Sequence, residues 1–241
     1  IINFLTLTLF YIFLIKKFES KKNKFFFLLY GWLFGFGYFL SNLYWISISL
    51  TFDETFKFLI PFTIILVPGF LALFYAFIAY LFIVFNPKKN LSSFFLFSLI
   101  FGLVEFIRGS ILTGFPWNLI AYSFSNQIEI LNITSIIGTY SFNLFCISLF
   151  TSPSLFILRD NKKDISVCIA FLITTMSFYI FGSQNLEKFS KDYSKNLDYK
   201  IRIVSSNINI DRFYNNIDPV SVIEELIEIS SPKKNEKIIF I

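Results

Sequence analysis

The sequence predicts a multispan α-helical membrane domain with six spans, followed by the opening β-α-β of an α/β domain. Of its 241 residues, 55% are hydrophobic and 15% are charged, whereas a soluble domain carries about 25% charged residues. The mean hydropathy is +0.66. Residues 1–182 contain 12 basic and 7 acidic side chains, and residues 183–241 contain 9 of each. We therefore expect the first region in lipid and the second in water.

Long uncharged segments account for most of the predicted spans. Crossing about 30 Å of hydrocarbon takes roughly 20 residues. The uncharged segments of sufficient length are residues 25–50, 58–85, 130–158 and 165–186. Residues 1–15 form a shorter apolar run that begins without Met, and we expect it to be the remainder of a span whose start is missing.

Residues 90–112 bring the predicted spans to six, and this span, the fourth in chain order, carries two charges near its end. It is apolar as far as Val104 and then contains Glu105 and Arg108. Side chains three positions apart are neighbours on a helix surface. We therefore expect Glu105 and Arg108 to form a structural ion pair.

The loops between the spans predict the orientation of the chain. Basic clusters at residues 16–24, 88–89 and 159–163 alternate with loops at 53–57 and 109–129 that contain at most one basic residue. Cytoplasmic loops are enriched in Lys and Arg. The sequence therefore predicts that the 109–129 loop and everything after Asn185 lie on the outer, periplasm-like side.

Glycines and prolines mark the second and third spans. Gly31, Gly35 and Gly37 predict close packing of the second span against a neighbour, because small residues let helix backbones approach. The third span contains Pro61 and Pro68-Gly69. A kink at each proline is the simplest expectation, and a broken-helix transport site is the alternative.

The last part of the chain alternates between strand and helix patterns. Residues 1–183 are assigned to the membrane domain and 184–197 to a linker. Within 198–241, strands are predicted at 199–205 and 237–241. A helix is expected between them, from Asp218-Pro219 to the break at Ser231-Pro232. So short a segment cannot bury a core of its own, so we expect this domain to continue beyond residue 241.

Composition excludes several kinds of chemistry. The sequence contains no histidine, which excludes Ser-His or Cys-His catalysis and histidine metal sites within these residues. Cys146 and Cys168 lie in apolar stretches without CxxC spacing, which is typical of core side chains. No metal or cofactor is expected. No nucleic-acid partner is expected either, because the basic residues occur in short runs between apolar segments.

The most distinctive stretch follows the expected ion pair. Residues 112–118 read Leu-Thr-Gly-Phe-Pro-Trp-Asn, so Phe115, Pro116 and Trp117 occupy an outer loop. Such aromatic side chains either anchor a loop at the lipid interface or line a groove for acyl chains. The residues alone leave both readings open.

Residues 105–123 resemble the signature of the apolipoprotein N-acyltransferases, enzymes of bacterial lipoprotein maturation. Residues 31–49 resemble the glycine-rich span of that family, and 138–143 resemble the span after its Phe-Pro-Trp loop. Residues 201–208 resemble the first strand of its carbon-nitrogen hydrolase (nitrilase-like) domain. The resemblance implies a multipass protein of the bacterial inner membrane with a periplasmic catalytic domain.

The resemblance also implies a two-step acyl transfer. In the family, a Cys thiolate takes a fatty acyl chain from a membrane phospholipid. The resulting thioester then acylates the α-amino group of S-diacylglyceryl-cysteine on an apolipoprotein. Glu acts as general base, Lys stabilises the oxyanion and Cys is the nucleophile. We expect that triad beyond residue 241, so no catalytic residue lies in this chain and the chain alone is inactive. Neither Cys146 nor Cys168 is expected to be the nucleophile.

Phe115, Pro116, Trp117 and Tyr214 become candidates for lining the acyl site through the same resemblance. After its first strand the family usually shows a proline and then a tryptophan. This chain has Asn209 in place of the proline and Tyr214 near the position of the tryptophan. If that tryptophan serves as an aromatic wall, the Tyr214 ring can replace it. If its indole is required, the intact protein is a divergent or impaired copy.

Two other functions stay open. A small-molecule transporter with a periplasmic appendage is suggested by span 58–85 and by the intramembrane pair. It predicts inverted repeats, which are not found between residues 1–85 and 90–182. A membrane-tethered nitrilase-type amidase would use the same triad on a substrate in water.

Overall fold

The computed structural model describes residues 2–20, 23–111, 114, 116–158, 162–193 and 219–230. Ten α-helices occur in these ranges: α1 Ile2–Ser20, α2 Phe26–Leu43, α3 Ile60–Val84, α4 Leu91–Ser110, α5 Ile128–Leu131, α6 Thr134–Ile137, α7 Thr139–Thr151, α8 Pro153–Ile157, α9 Lys162–Tyr193 and α10 Pro219–Ser230. Three 3₁₀ helices join them, at Tyr44–Thr51, Glu54–Leu59 and Ile120–Phe124.

Five helical segments of the described chain are long and apolar enough to cross a membrane. They are Phe26–Thr51, Glu54–Val84, Leu91–Ser110, Thr139–Ile157 and Asp164–Lys191. Each corresponds to a predicted span, and together they fit a multispan helical membrane domain. Helix α1 is also formed, but Lys16, Lys17 and Glu19 shorten its apolar part, so the count of six spans stays a prediction.

One predicted span begins later than its hydropathy suggests. Residues 130–158 are an uncharged run, yet they do not form a single helix, because Gly138 has φ +77 and ψ 163. This left-handed conformation interrupts the chain between α6 and α7. The membrane-spanning helix therefore starts at Thr139, and α5 and α6 are short helices before it.

The glycines of α2 allow this helix to approach α3 closely. A Cβ atom at Gly31 would lie 2.7 Å from Ala76 Cα, and one at Gly35 would lie 3.0 Å from Ala72 Cα. Both values are shorter than ordinary van der Waals contact, so α2 and α3 pack backbone to backbone as predicted. The expectation was wrong for Gly37, which has open space around it.

Helix α3 is continuous through its internal proline. Pro68 lies inside the helix, whereas Pro61 lies in its first turn, where the missing N–H is not needed. Trp32 Nε1 of α2 donates a hydrogen bond to the Gly69 carbonyl at 3.0 Å. The helix runs unbroken from Ile60 to Val84. A broken-helix transport site would require an interruption at Pro68-Gly69.

Aromatic rings fill the space between α1, α2, α3 and α4. Phe10 stacks on Phe34 with ring centroids 4.1 Å apart, and Tyr11 contacts the edge of Phe97 at 5.2 Å. Thr8 Oγ1 of α1 donates to the Phe150 carbonyl of α7 at 3.0 Å. Helix α4 lies against both α3 and α7, which brings side chains of three helices to its C-terminal end.

The region after the membrane is described only in part. Helix α9 continues to Tyr193, so residues 184–193 of the predicted linker are helical, and Glu187 pairs with Lys191 at 2.6 Å one turn along. Helix α10, Pro219–Ser230, forms where a helix was predicted. The predicted strands at 199–205 and 237–241 lie outside the described residues.

Candidate functional site

A buried ion pair lies at the C-terminal end of α4. Arg108 Nη2 donates to Glu105 Oε1 at 3.3 Å, and the two side chains are 1% and 0% exposed. The pair expected from sequence is thus present and sealed from solvent. Taking both charges out of water is costly unless further hydrogen bonds satisfy them.

Glu105 receives those hydrogen bonds from two other helices. The Tyr75 hydroxyl of α3 donates to Glu105 Oε1 at 2.9 Å, and Asn143 Nδ2 of α7 donates to Oε2 at 2.7 Å. Both partners are 0% exposed. One carboxylate therefore connects α3, α4 and α7, and each of its oxygens is occupied.

Arg108 extends from this network to the loop that follows α4. Its Nη1 donates to the Trp117 carbonyl at 3.1 Å. Its Cζ lies 5.3 Å from the centroid of the Phe39 ring, in a cation–π arrangement. The guanidinium thus contacts the Glu105 carboxylate, the Trp117 main-chain oxygen and the Phe39 ring simultaneously.

The main chain of this loop is held at two more points. The Tyr38 hydroxyl donates to the Asn118 carbonyl at 3.1 Å, and the Ala121 N–H donates to Asn143 Oδ1 at 2.9 Å. Asn118 itself has φ +64, a left-handed conformation that is uncommon outside glycine and persists where its surroundings enforce it. Residues 117–121 therefore form a fixed segment.

Two glycines shape the start of the loop. Gly114 has φ +78, and a Cβ there would lie 2.6 Å from the Gly109 carbonyl oxygen. A Cβ at Gly109 would lie 3.0 Å from Tyr140 Cζ. Gly114 therefore needs glycine for its backbone conformation, whereas a Cβ at Gly109 would have to displace the Tyr140 ring.

Two indoles stack at the surface beside this loop. The ring centroids of Trp45 and Trp117 are 5.5 Å apart with an interplanar angle of 19°. Their side chains are 45% and 51% exposed. Trp45 lies in the 3₁₀ helix Tyr44–Thr51, and its Nε1 donates to the Asn42 carbonyl at 2.9 Å.

The remaining predicted site residues are only partly described. Pro116 is half-buried beside Trp117, whereas Phe115 and Tyr214 lie outside the described residues. Cys146 is fully buried in α7, and Cys168 Sγ lies 3.5 Å from Ser152 Oγ. Within the described ranges, no three His, Cys, Asp or Glu side chains group as metal ligands.

Sequence reasoning did not find several members of this network. Tyr38, Tyr75 and Asn143 were not assigned to the ion pair, and Trp45 was not assigned to Trp117. A signal existed for Asn143, because an amide within an apolar span needs hydrogen-bonding partners. The two tyrosines gave no such signal among so many aromatic residues.

The family to which the chain belongs follows from comparison with known sequences. A family model described as the apolipoprotein N-acyltransferase N-terminal domain matches residues 1–152. The chain belongs to the apolipoprotein N-acyltransferase family. The matched range contains the whole buried network and both stacked indoles, so this site is part of the family's N-terminal domain.

Relatives named apolipoprotein N-acyltransferase occur in several bacteria. The chain is 35% identical to the one from Rickettsia prowazekii over 181 residues, which are 74% of this chain and 35% of the relative. It is 30% identical to the Rhodopseudomonas palustris protein over 213 residues, with coverages of 86% and 39%. For Brucella melitensis the identity is 29% over 201 residues, with coverages of 83% and 37%. The aligned residues thus span less than two fifths of each of these relatives.

Proposed function

We propose that the intact protein carrying this chain is an apolipoprotein N-acyltransferase, performing the last step of lipoprotein maturation. The observation that supports this most is the family match over residues 1–152, which includes the fixed loop at 117–121. The donor is a membrane phospholipid, and the acceptor is the N-terminal S-diacylglyceryl-cysteine of an apolipoprotein.

The proposed reaction has two balanced steps. The general base removes the proton of the cysteine thiol, and the thiolate attacks an ester carbonyl of the phospholipid to form a C–S bond. The ester C–O bond breaks, and the departing alkoxide takes that proton and leaves as the lysophospholipid. The acceptor amine then attacks the thioester. A C–N bond forms, the C–S bond breaks, and the thiolate is regenerated as the amine loses its proton.

The proposed domain organisation assigns the two parts of this chain different tasks. Residues 1–183 hold the lipid donor in the membrane, 184–197 connect the domains, and 198–241 begin a carbon-nitrogen hydrolase domain whose Glu-Lys-Cys triad follows residue 241. Helix α10, Pro219–Ser230, is consistent with the helix of an opening β-α-β. The family and the five apolar helices favour a multipass position in the inner membrane. The alternation of basic loops favours the periplasmic side for the catalytic domain.

The aromatic loop is the proposed place of contact with the acyl chain. Trp117 presents half of its surface outward beside the half-buried Pro116. We propose that Phe115 and Tyr214 complete this lining. Large rigid aromatic surfaces suit an acyl chain because they bury apolar area with little loss of side-chain entropy.

The transporter alternative has less support. It is suggested by the kink expected in span 58–85 and by the intramembrane ion pair. However, α3 is one continuous helix, and the carboxylate oxygens of Glu105 are occupied by protein donors. The amidase alternative shares the proposed triad. It differs in releasing its product into water instead of joining an acyl chain to an amine.

Complementation distinguishes these functions in a living cell. The complete gene is expressed in a bacterium depleted of its own N-acyltransferase, and the N-terminus of an abundant lipoprotein is analysed by mass spectrometry. We expect growth to recover and a third acyl chain to appear. Recovery without the third chain, or no recovery from a well-expressed protein, would contradict the proposal.

Tyr214 provides a test of the acyl-site lining. Replacing it with Ala in the intact protein removes the proposed aromatic wall, and we expect the yield of thioester acyl-enzyme to fall about tenfold, the effect of roughly 1.4 kcal/mol. Tyr214→Phe retains the ring and is expected to retain most of the yield. The yield is measured as hydroxylamine-sensitive incorporation of labelled acyl chain, and equal yields from Tyr214→Ala and wild type would exclude this role.

A further inference from the structure

We propose that Arg108 is a positioning residue for acyl transfer: held by Glu105, it fixes the Trp117 main chain so that Trp45 and Trp117 form one stacked, two-indole wall for the donor acyl chain. The inference rests on the proposed function for its substrate. It adds Trp45, Arg108 and Glu105 to the parts of the chain that determine how the donor is held.

The contacts of Arg108 are more than an ion pair needs. Its Nη2 and Nη1 donate in different directions, to Glu105 Oε1 and to the Trp117 carbonyl. The guanidinium carbon meanwhile lies over the Phe39 ring, 5.3 Å from its centroid. Lysine retains the charge but has neither the fork nor the planar face. Only arginine can therefore connect the carboxylate to the loop main chain in this geometry.

The hydrogen bond to the Trp117 carbonyl also restricts the direction of the Trp117 side chain. The carbonyl and the indole share one Cα, and the next residue, Asn118, is locked at φ +64 with its carbonyl bonded to Tyr38. Rotation of the main chain at Trp117 would break the bond to Arg108. The direction in which the indole leaves the loop is thus set from inside the helix bundle.

Trp45 is fixed independently of the loop. It follows α2 directly, and its Nε1 is bonded to the Asn42 carbonyl one turn earlier. The two indoles therefore approach from separate elements and stack with their centroids 5.5 Å apart and their planes inclined by 19°. If the Trp117 main chain moves, the stack opens although Trp45 stays in place.

A stacked pair of indoles presents more apolar surface than either ring alone. Both rings are about half exposed, so the wall has a free face for an acyl chain. Because binding groups far from the reacting atoms still determine alignment, a displacement of about 1 Å can reduce the rate by roughly 100-fold. We therefore expect damage to the wall to affect use of the donor.

Exciton-coupled circular dichroism detects the stack directly in the purified intact protein. Two indoles stacked at this distance couple through their strong far-ultraviolet transitions. Where the two transition dipoles are skewed, the coupling gives a bisignate signal that requires both rings. We expect Trp45→Phe and Trp117→Phe to remove the same signal. Trp32→Phe is the control and is expected to leave it intact, because Trp32 bonds to Gly69 on the α2–α3 surface.

Arg108→Lys then tests the positioning role. We expect it to lose at least half of the exciton signal and to lower kcat/KM for the phospholipid donor roughly 10- to 100-fold. An intact exciton signal in a folded Arg108→Lys protein would overturn the proposal. So would loss of the signal with unchanged kcat/KM for the donor.

A second variant covers the case in which Arg108→Lys does not fold. Trp45→Leu lies outside the buried network, keeps an apolar side chain and removes one half of the wall. We expect a raised donor KM with an unchanged thermal unfolding midpoint, and an unchanged KM would overturn the proposal. If the wild-type protein shows the exciton signal but no acyl transfer, the proposed function fails while the positioning of the indoles stands.

Discussion

Replacing Glu105 with Ala is expected to lower the free energy of unfolding of the membrane domain by about 3–5 kcal/mol, because removing one partner leaves a buried charge uncompensated. Arg108 would lose its counter-charge while remaining 1% exposed, and Tyr75 and Asn143 would lose their acceptor. The measurement is unfolding of the intact protein in detergent, followed by helical circular dichroism during denaturant titration.

The matched control is a pair of the same spacing at the surface. Glu54 and Lys57 also form an i, i+3 ion pair, but Glu54 is 87% exposed. Exposed pairs contribute little to stability, so Glu54→Ala is expected to leave the unfolding curve almost unchanged. If both variants lost a similar amount of unfolding free energy, burial would not be the cause of the contribution of Glu105 to stability.

Replacing Gly31 with Leu is expected to separate α2 from α3 and to lower the free energy of unfolding by about 2–3 kcal/mol, as overpacking does. A Cβ at Gly31 would lie 2.7 Å from Ala76 Cα. A main-chain atom cannot rotate away as a flexible side chain can. We expect a lower thermal unfolding midpoint. Because Tyr75 lies on the same part of α3, we also expect a weaker hydrogen bond from its hydroxyl to Glu105.

Gly37→Leu in the same helix controls for residue type. It makes the same change in hydrophobicity, but nothing lies within 4 Å of the new Cβ. The replacement of glycine in a helix even favours the folded state slightly. Equal destabilisation at positions 31 and 37 would contradict close packing as the cause.

The membrane part of the fold was largely predictable because lipid imposes a simple rule. A helix that crosses hydrocarbon must lack charges for roughly 20 residues, and five of the predicted spans are recovered on that basis. The boundary at Thr139 was not predictable from hydropathy. Gly138 interrupts the helix through its backbone conformation. Hydropathy does not depend on backbone conformation, so the uncharged run gave no sign of the interruption.

The glycines show the limit of spacing arguments. Gly31 and Gly35 are four apart and fall on one face of α2, where α3 approaches. Gly37 lies two positions further on, and with 3.6 residues per turn it points elsewhere. Composition alone did not separate the two cases, whereas the helical period applied to all three glycines would have done so.

The candidate site was predictable only within one helix. The spacing of Glu105 and Arg108 on α4 predicted their pairing, but Tyr75 and Asn143 come from helices 30 and 38 positions away in sequence. The hydrogen bond from Arg108 to the loop could not be predicted from the sequence for a different reason. Its acceptor is a main-chain carbonyl, which every residue has, and its placement depends on the φ of Asn118.

Transfer of an acyl chain between purified components tests the central proposal most directly. The intact protein is incubated with phospholipid carrying an isotopically labelled acyl chain and with a diacylated peptide whose N-terminal cysteine has a free α-amino group. Mass spectrometry of the peptide then measures the product. We expect one added labelled chain in amide linkage at that amine. Labelled free fatty acid with an unmodified peptide, or no consumption of the donor by the folded protein, would contradict the proposal.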